Sequence, residues 1–248
     1  MGGLVKILLT VAYDGTNYAG WQRQNNAPSV QQNLEEALAN LLGQAIKLSA
    51  ASRTDAGVHA LGQKAAFLIE HMPIPLDKLP RAINKFTPDS IIVQKAQHVS
   101  DEFNPRFDPK SKTYRYQIYN AQLPNPLKTR YSAFVPRHLN IEKMQQAAKH
   151  FTGTHDFAAF CATGSSAKTT IRTIFDCSVK KEDDTIQILI SGNAFLYNMV
   201  RIIAGTLVYV GIGKIEAENI PSIITSKSRP QAGKTMPPEG LTLIDIFY

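Results

Sequence analysis

Cysteine, tryptophan and the common cofactor and metal signatures are scarce or missing in this chain. Its 248 residues hold two cysteines and one tryptophan. Cys161 and Cys177 form no Cys-x-x-Cys pair, so neither a disulfide framework nor a zinc knuckle is indicated, and a reducing, cytoplasmic compartment is expected. The six histidines are scattered. His150, His155 and Cys161 in KHFTGTHDFAAFC lack the regular spacing of a metal site, and there is no His-Glu-x-x-His. No Gly-x-Gly-x-x-Gly follows a strand, and no phosphate-binding loop or Gly-x-Ser-x-Gly elbow occurs, so dinucleotide, P-loop and nucleophile-elbow chemistries are not indicated. The N-terminal run MGGLVKILLTVAYDG is too short and weakly flanked for a signal peptide and reads as a first strand. Lys6 stands where a myristoylation signal requires Ser or Thr.

What is present is a basic, core-forming chain. It is 44% hydrophobic and 19% charged, enough apolar surface for a large core in one or two domains. The net charge of +7 suits a phosphate-rich partner, although a basic protein without one has the same balance.

Periodicity divides the chain in two. Strands are expected at LVKILLTVAY, AIKLSAAS, GQKAAFLIE and SIIVQKAQHV, with helices at SVQQNLEEALANLLG and PLDKLPRAINKF. Ser29 is placed to cap the first helix, whose Val30, Leu34, Ala37, Leu38, Leu41 and Leu42 fall at helical spacing. The order β-α-β-β-α-β is the split β-α-β arrangement. After the polar hinge DEFNPRFDPKS it partly recurs: strands at KTYRYQIYN and RYSAFVP, a helix at NIEKMQQAAKHF, strands at TIRTIFDCSVKK and TIQILISGN, and a long helix from about Ala194. The basic loop SKSRPQAGKTMPPEG precedes a last strand, LTLIDIFY. Domains are expected at 1–104 and 105–248.

Two side chains are hard to explain by folding alone. Between Asp184 and Lys214 the only charge is Arg201, inside AFLYNMVRIIAGTLVYVGIG, nearly long enough to cross a membrane. Arg201 near the middle of this run, with Asn198 and Tyr197, argues instead for a helix buried in protein. A guanidinium keeps its proton, and burying it unpaired costs several kcal/mol or more. Arg201 therefore reaches solvent at a cleft or meets a carboxylate, which in the plainest case makes a structural ion pair. Asp55, in the turn ASRTDAGVHA beside Arg53, is the carboxylate that packing explains least.

Tyr13, Tyr18, Trp21 and Arg23 lie in YDGTNYAGWQRQNNAPS, a loop otherwise made of turn formers. Rings beside cations suit an unstacked base, at roughly 1–3 kcal/mol of stacking each, but the same rings commonly cap a core. In KTYRYQIY, Tyr114, Tyr116 and Ile118 share one strand face, either sheet core or a platform for a base, while Arg115 and Gln117 point the other way.

YDGTNYAGWQRQ, SRTDAGVHALGQ, DEFNPRF, KTYRYQIYN, GTHDF and NAFLYNMVRIIAGTL together resemble, in order, the signature blocks of the TruA family of tRNA pseudouridine synthases, from Tyr13 to Leu207. The resemblance implies an α/β fold of two ferredoxin-like domains, joined into one mostly antiparallel sheet flanked by helices, with a basic cleft between them. It implies a homodimer that isomerises uridine to pseudouridine in the tRNA anticodon stem-loop, at tRNA positions 38–40, without metal or cofactor. By the same resemblance Asp55 is the nucleophile, Tyr114 packs against the target base and Arg201 pairs with Asp55. Arg53 assists base flipping, and Arg106, Phe107 and Lys168 contact RNA. Ser52 replaces the glycine common in the family, and CATGSSAKTT is poorer in arginine than its counterparts.

Breaking and remaking a glycosyl bond requires the uracil to leave its stack and a carboxylate to meet it. An aspartate, with an unperturbed pKa near 3.9, is ionised for this at neutral pH. Attack at C6 of the base, attack at C1′ of the ribose and removal of the C2′ proton all remain open. A non-catalytic RNA-binding protein fits the charge and the aromatics but gives no use to Asp55 and Arg201. A metal-free glycosidase requires two acidic residues in polar turns, and one stands out.

Overall fold

The computed structural model describes residues 4–248, so Met1–Gly3 of the run MGGLVKILLTVAYDG lie outside it. The chain divides into two compact units. The described residues to Lys110, with Leu243–Tyr248, make the first, and Ser111–Thr242 make the second.

In the first unit, strand β1 (Val5–Tyr13) buries Ile7, Leu9, Val11 and Tyr13 on one face. Helix α1 (Val30–Leu42) begins where Ser29 accepts the Gln32 N–H and ends at Gly43. Its stripe of Val30, Leu34, Ala37 and Leu38 is buried. Strand β2 is only Ser49–Ala50, shorter than AIKLSAAS suggested: before it the Leu48 N–H is bonded to the Glu35 carboxylate rather than to a strand, and after it the chain leaves for the Asp55 turn. Strand β3 (His59–Ile69), helix α2 (Leu79–Ile83) and strand β4 (Ile91–Val99) complete the expected β-α-β-β-α-β series. Helix α2 stops at Asn84, whose amide exchanges two hydrogen bonds with the Val93 backbone and docks the helix on β4. The strands lie in the order β4-β1-β3, with β2 on β3, all antiparallel. The last strand, β10 (Leu241–Phe247), runs beside β3.

The second unit holds β5 (Ser111–Tyr119), β6 (Ala133–Phe134), α3 (Ile141–Lys149), β7 (Gly153–Asp156), β8 (Ile171–Glu182), β9 (Thr185–Gly192), α4 (Met199–Gly211) and α5 (Ile220–Ser226). Its strand order is β5-β9-β8-β7, antiparallel throughout, with β6 parallel to β5. Sequence periodicity singled out neither β7 nor α5, which are four and seven residues long. Helix α4 begins at Met199 rather than near Ala194, because Asn198 takes a left-handed conformation (φ 59°) that helical geometry excludes. It is buried nearly all round. No helix among the described residues is long and apolar enough to cross a membrane. The fold is mixed α/β, with a mostly antiparallel sheet flanked by helices.

Candidate active site

Asp55 sits on a turn built from below by buried side chains. The Val58 N–H closes the turn onto the Asp55 carbonyl at 3.2 Å. The preceding residue, Thr54, is buried and fixed twice: its carbonyl accepts the Trp21 N–H at 3.1 Å, and its hydroxyl lies 2.7 Å from that of Tyr13. Gly20 makes the approach possible. With φ at 94°, it passes so close that a Cβ there would lie 2.4 Å from the Thr54 carbonyl oxygen. Asp55 is half-buried and Arg53 is exposed, so the turn hides its threonine and presents its charges.

Helix α1 braces the same loop. The Gln31 N–H donates to the Trp21 carbonyl at 2.9 Å, and the Gln31 side-chain oxygen accepts the Arg23 N–H. Buried Glu35 accepts from the Leu48 N–H, the Gln31 amide and Arg23 Nη1, at 3.0, 2.9 and 3.1 Å. Trp21 is 1% exposed, and Tyr13 and Tyr18 are also buried. Of the two readings of these rings, the core-capping one holds. They support the aspartate turn and offer no face to a base.

The exposed ring of this unit's polar hinge is Phe107, 75% accessible, with the Arg106 guanidinium carbon 5.4 Å from its centre. Asn104 shapes that turn by accepting the Arg106 N–H through its side chain. A cation against an open aromatic face suits contact with a nucleotide.

Tyr114, Arg201 and Lys168 belong to the second unit. Tyr114 is 7% exposed and meets the Phe195 ring edge-on, 5.1 Å between centres. Tyr116, on the same strand face, is fully buried and donates its hydroxyl to the Pro237 carbonyl at 2.7 Å. Arg201, half-buried on the first turn of α4, donates from Nε to the Met236 carbonyl and from Nη1 to the Asn198 side-chain oxygen, both at 2.7 Å. Lys168 is exposed in the loop before β8. The structure thus places Arg53 with Asp55 on one turn and Arg106 against Phe107 on another, both in the first unit. Sequence reasoning did not assign the two oxygens that hold Arg201. One is a backbone carbonyl, which leaves no trace in residue identity. The other is Asn198, which lies inside the helix expected from the sequence; its only signal is a polar side chain three residues before Arg201 in an apolar run.

Comparison with known proteins decides the family. The family model described as tRNA pseudouridine synthase matches residues 9–108 and 147–248. The chain belongs to the tRNA pseudouridine synthase family. It is 50% identical over 242 residues to tRNA pseudouridine synthase A of Acetivibrio thermocellus, covering 98% of this chain and 99% of that protein. The Ruminiclostridium cellulolyticum and Geotalea uraniireducens proteins of the same name are 50% and 47% identical over 98% of this chain and 99% of each of theirs. Among solved structures, a chain of a Cbf5-Nop10-Gar1 complex aligns over 95% of this chain and 57% of its own, with 12% identity and a TM-score of 0.38. Membership makes this protein an enzyme, an isomerase that converts uridine to pseudouridine in tRNA.

Proposed function

We propose that the enzyme acts on uridines in the anticodon stem-loop, at tRNA positions 38–40, with Asp55 as the catalytic carboxylate. The observation that carries the second part is the Asp55 turn itself. A half-buried carboxylate is presented on a turn whose backbone is fixed by Thr54, Tyr13, Trp21 and the close approach of Gly20. In the reaction the N1–C1′ glycosyl bond breaks, the uracil turns, and C5 bonds to C1′ with loss of the C5 proton while N1 takes up a proton. An ionised aspartate supplies the nucleophile or base this sequence needs. We assign Arg201 as its counter-ion, Tyr114 as the ring against the target base, and Arg53 as the cation that helps bring the base out. Arg106, Phe107 and Lys168 are assigned to RNA contact, and the enzyme to a cytoplasmic homodimer without metal or cofactor.

Asp55→Asn tests the assignment, because it keeps size and turn propensity while removing the charge. The variant should fold, bind tRNA within about threefold of the parent and release no tritium from C5-labelled uridine. Turnover near the parental rate would show that Asp55 is only a turn former. Substrates with a single labelled uridine at 38, 39 or 40 test the position, and light scattering tests the dimer.

A further inference from the structure

We propose that Asn198 and the strap Gly233–Pro237 form a positioning device for Arg201, aiming its guanidinium without neutralising it. The inference rests on the role assigned to Arg201 above, and its observations lie wholly within the second unit. Arg201 and Met236 are bonded in both directions. The Met236 N–H donates to the Arg201 carbonyl at 3.2 Å, and Arg201 Nε donates to the Met236 carbonyl at 2.7 Å.

The strap is fixed on both sides of Met236. The Gly233 N–H donates to the Thr206 hydroxyl at 2.8 Å, and that hydroxyl donates to the Ile202 carbonyl of the same helix. Gly205 lets Lys234 lie directly on the helix, since a Cβ there would be 1.8 Å from the Lys234 carbonyl oxygen. Beyond Met236, buried Tyr116 donates to the Pro237 carbonyl. Burial pushes the Tyr116 hydroxyl well above its ordinary range, with Glu239 adding to the shift and Arg201 opposing it, so it remains a donor at any working pH. Arg229 clips the loop by donating to the Gly233 carbonyl and the Thr235 hydroxyl.

Asn198 gives the other half. An asparagine at the start of a helix ordinarily has an extended backbone and spends its side chain on the first free N–H groups. Here it is left-handed and makes no side-chain cap bond, and its oxygen is turned to Arg201 Nη1. A strained backbone and a forgone cap are tolerated at functional sites. Two acceptors on different nitrogens define the plane of a rigid guanidinium. Both are uncharged, so these contacts leave its charge available.

Asn198→Gly tests this cleanly, because glycine accepts the positive φ and lacks only the acceptor. The single-turnover rate of tritium release should fall about tenfold or more, with tRNA affinity within about twofold and the thermal midpoint within a few degrees. Exchange of the Arg201 Nε–H, assigned by its loss in Arg201→Lys, should quicken. Asn198→Asp, which keeps an acceptor, should recover part of the rate. A parental rate in Asn198→Gly beside an inactive Arg201→Ala overturns the positioning device alone, and so does unchanged Nε–H exchange. Full activity of Arg201→Ala overturns the role assigned to Arg201, and with it the purpose of the device.

Discussion

Replacing Gly20 by alanine should disable the enzyme through a residue that need not touch RNA. The added Cβ would lie 2.4 Å from the Thr54 carbonyl oxygen, whereas real Cβ contacts essentially never fall below 3.0 Å, so about 0.6 Å must be found between two backbone segments. Neither is the end of a flexible side chain. Alanine at a φ of 94° adds strain of about 1–3 kcal/mol. Weakening the Trp21 N–H bond to Thr54 adds about 1 kcal/mol more, for about 2–4 kcal/mol in all. The displaced carbonyl belongs to the residue before Asp55, so the carboxylate moves with it. An error of 1 Å in a reacting group costs about a hundredfold, and 0.6 Å should cost about tenfold or more per folded molecule. Urea unfolding measures the first effect, and single-turnover tritium release at saturating enzyme measures the second. Gly43→Ala is the control. It has the same sign of φ, 70°, but nothing within 4 Å of its Cβ, and it should lose about 1 kcal/mol with its rate unchanged. A parental rate in Gly20→Ala would refute the coupling of this loop to Asp55.

Glu35→Ala should destabilise the first unit by about 1–3 kcal/mol in urea unfolding, because the buried Leu48 N–H loses its acceptor; Glu35→Gln, which keeps one, should cost less. Arg106→Ala should lower the slope of log tRNA affinity against log salt by about one if Arg106 neutralises one phosphate, and an unchanged slope removes it from the RNA contacts. The Asp156 carboxyl is held below its ordinary value of 3.8 first by Lys227, whose Nζ is 2.8 Å away, and then by Thr170. Its contribution to stability is therefore full above that value and lost as pH falls through the lower folded value. With both partners partly exposed it should amount to under about 1 kcal/mol. The gap in urea midpoint between the parent and Asp156→Asn should close below about pH 3.8, and a gap that persists at pH 2 refutes this.

The order of the elements in the first unit and the ends of α1 are legible in the amino-acid sequence. Alternation, helical spacing and the Ser29 cap are properties of neighbouring residues, so they can be read without the fold. The sequence also singled out Asp55 and Arg201, because a carboxylate in a turn and one cation in a long apolar run stand out against what packing needs. That Tyr13, Tyr18 and Trp21 support the aspartate turn emerges with the folded chain, since burial depends on partners such as Thr54, Ser90 and α1 that are distant in sequence. The true start of α4 was equally out of reach, because Asn198 is compatible with a helix until its side chain is bonded to Arg201. The final strand gave no sign that Leu243–Tyr248 belong with the first hundred residues, because strand propensity is local and the choice of neighbouring strand is not.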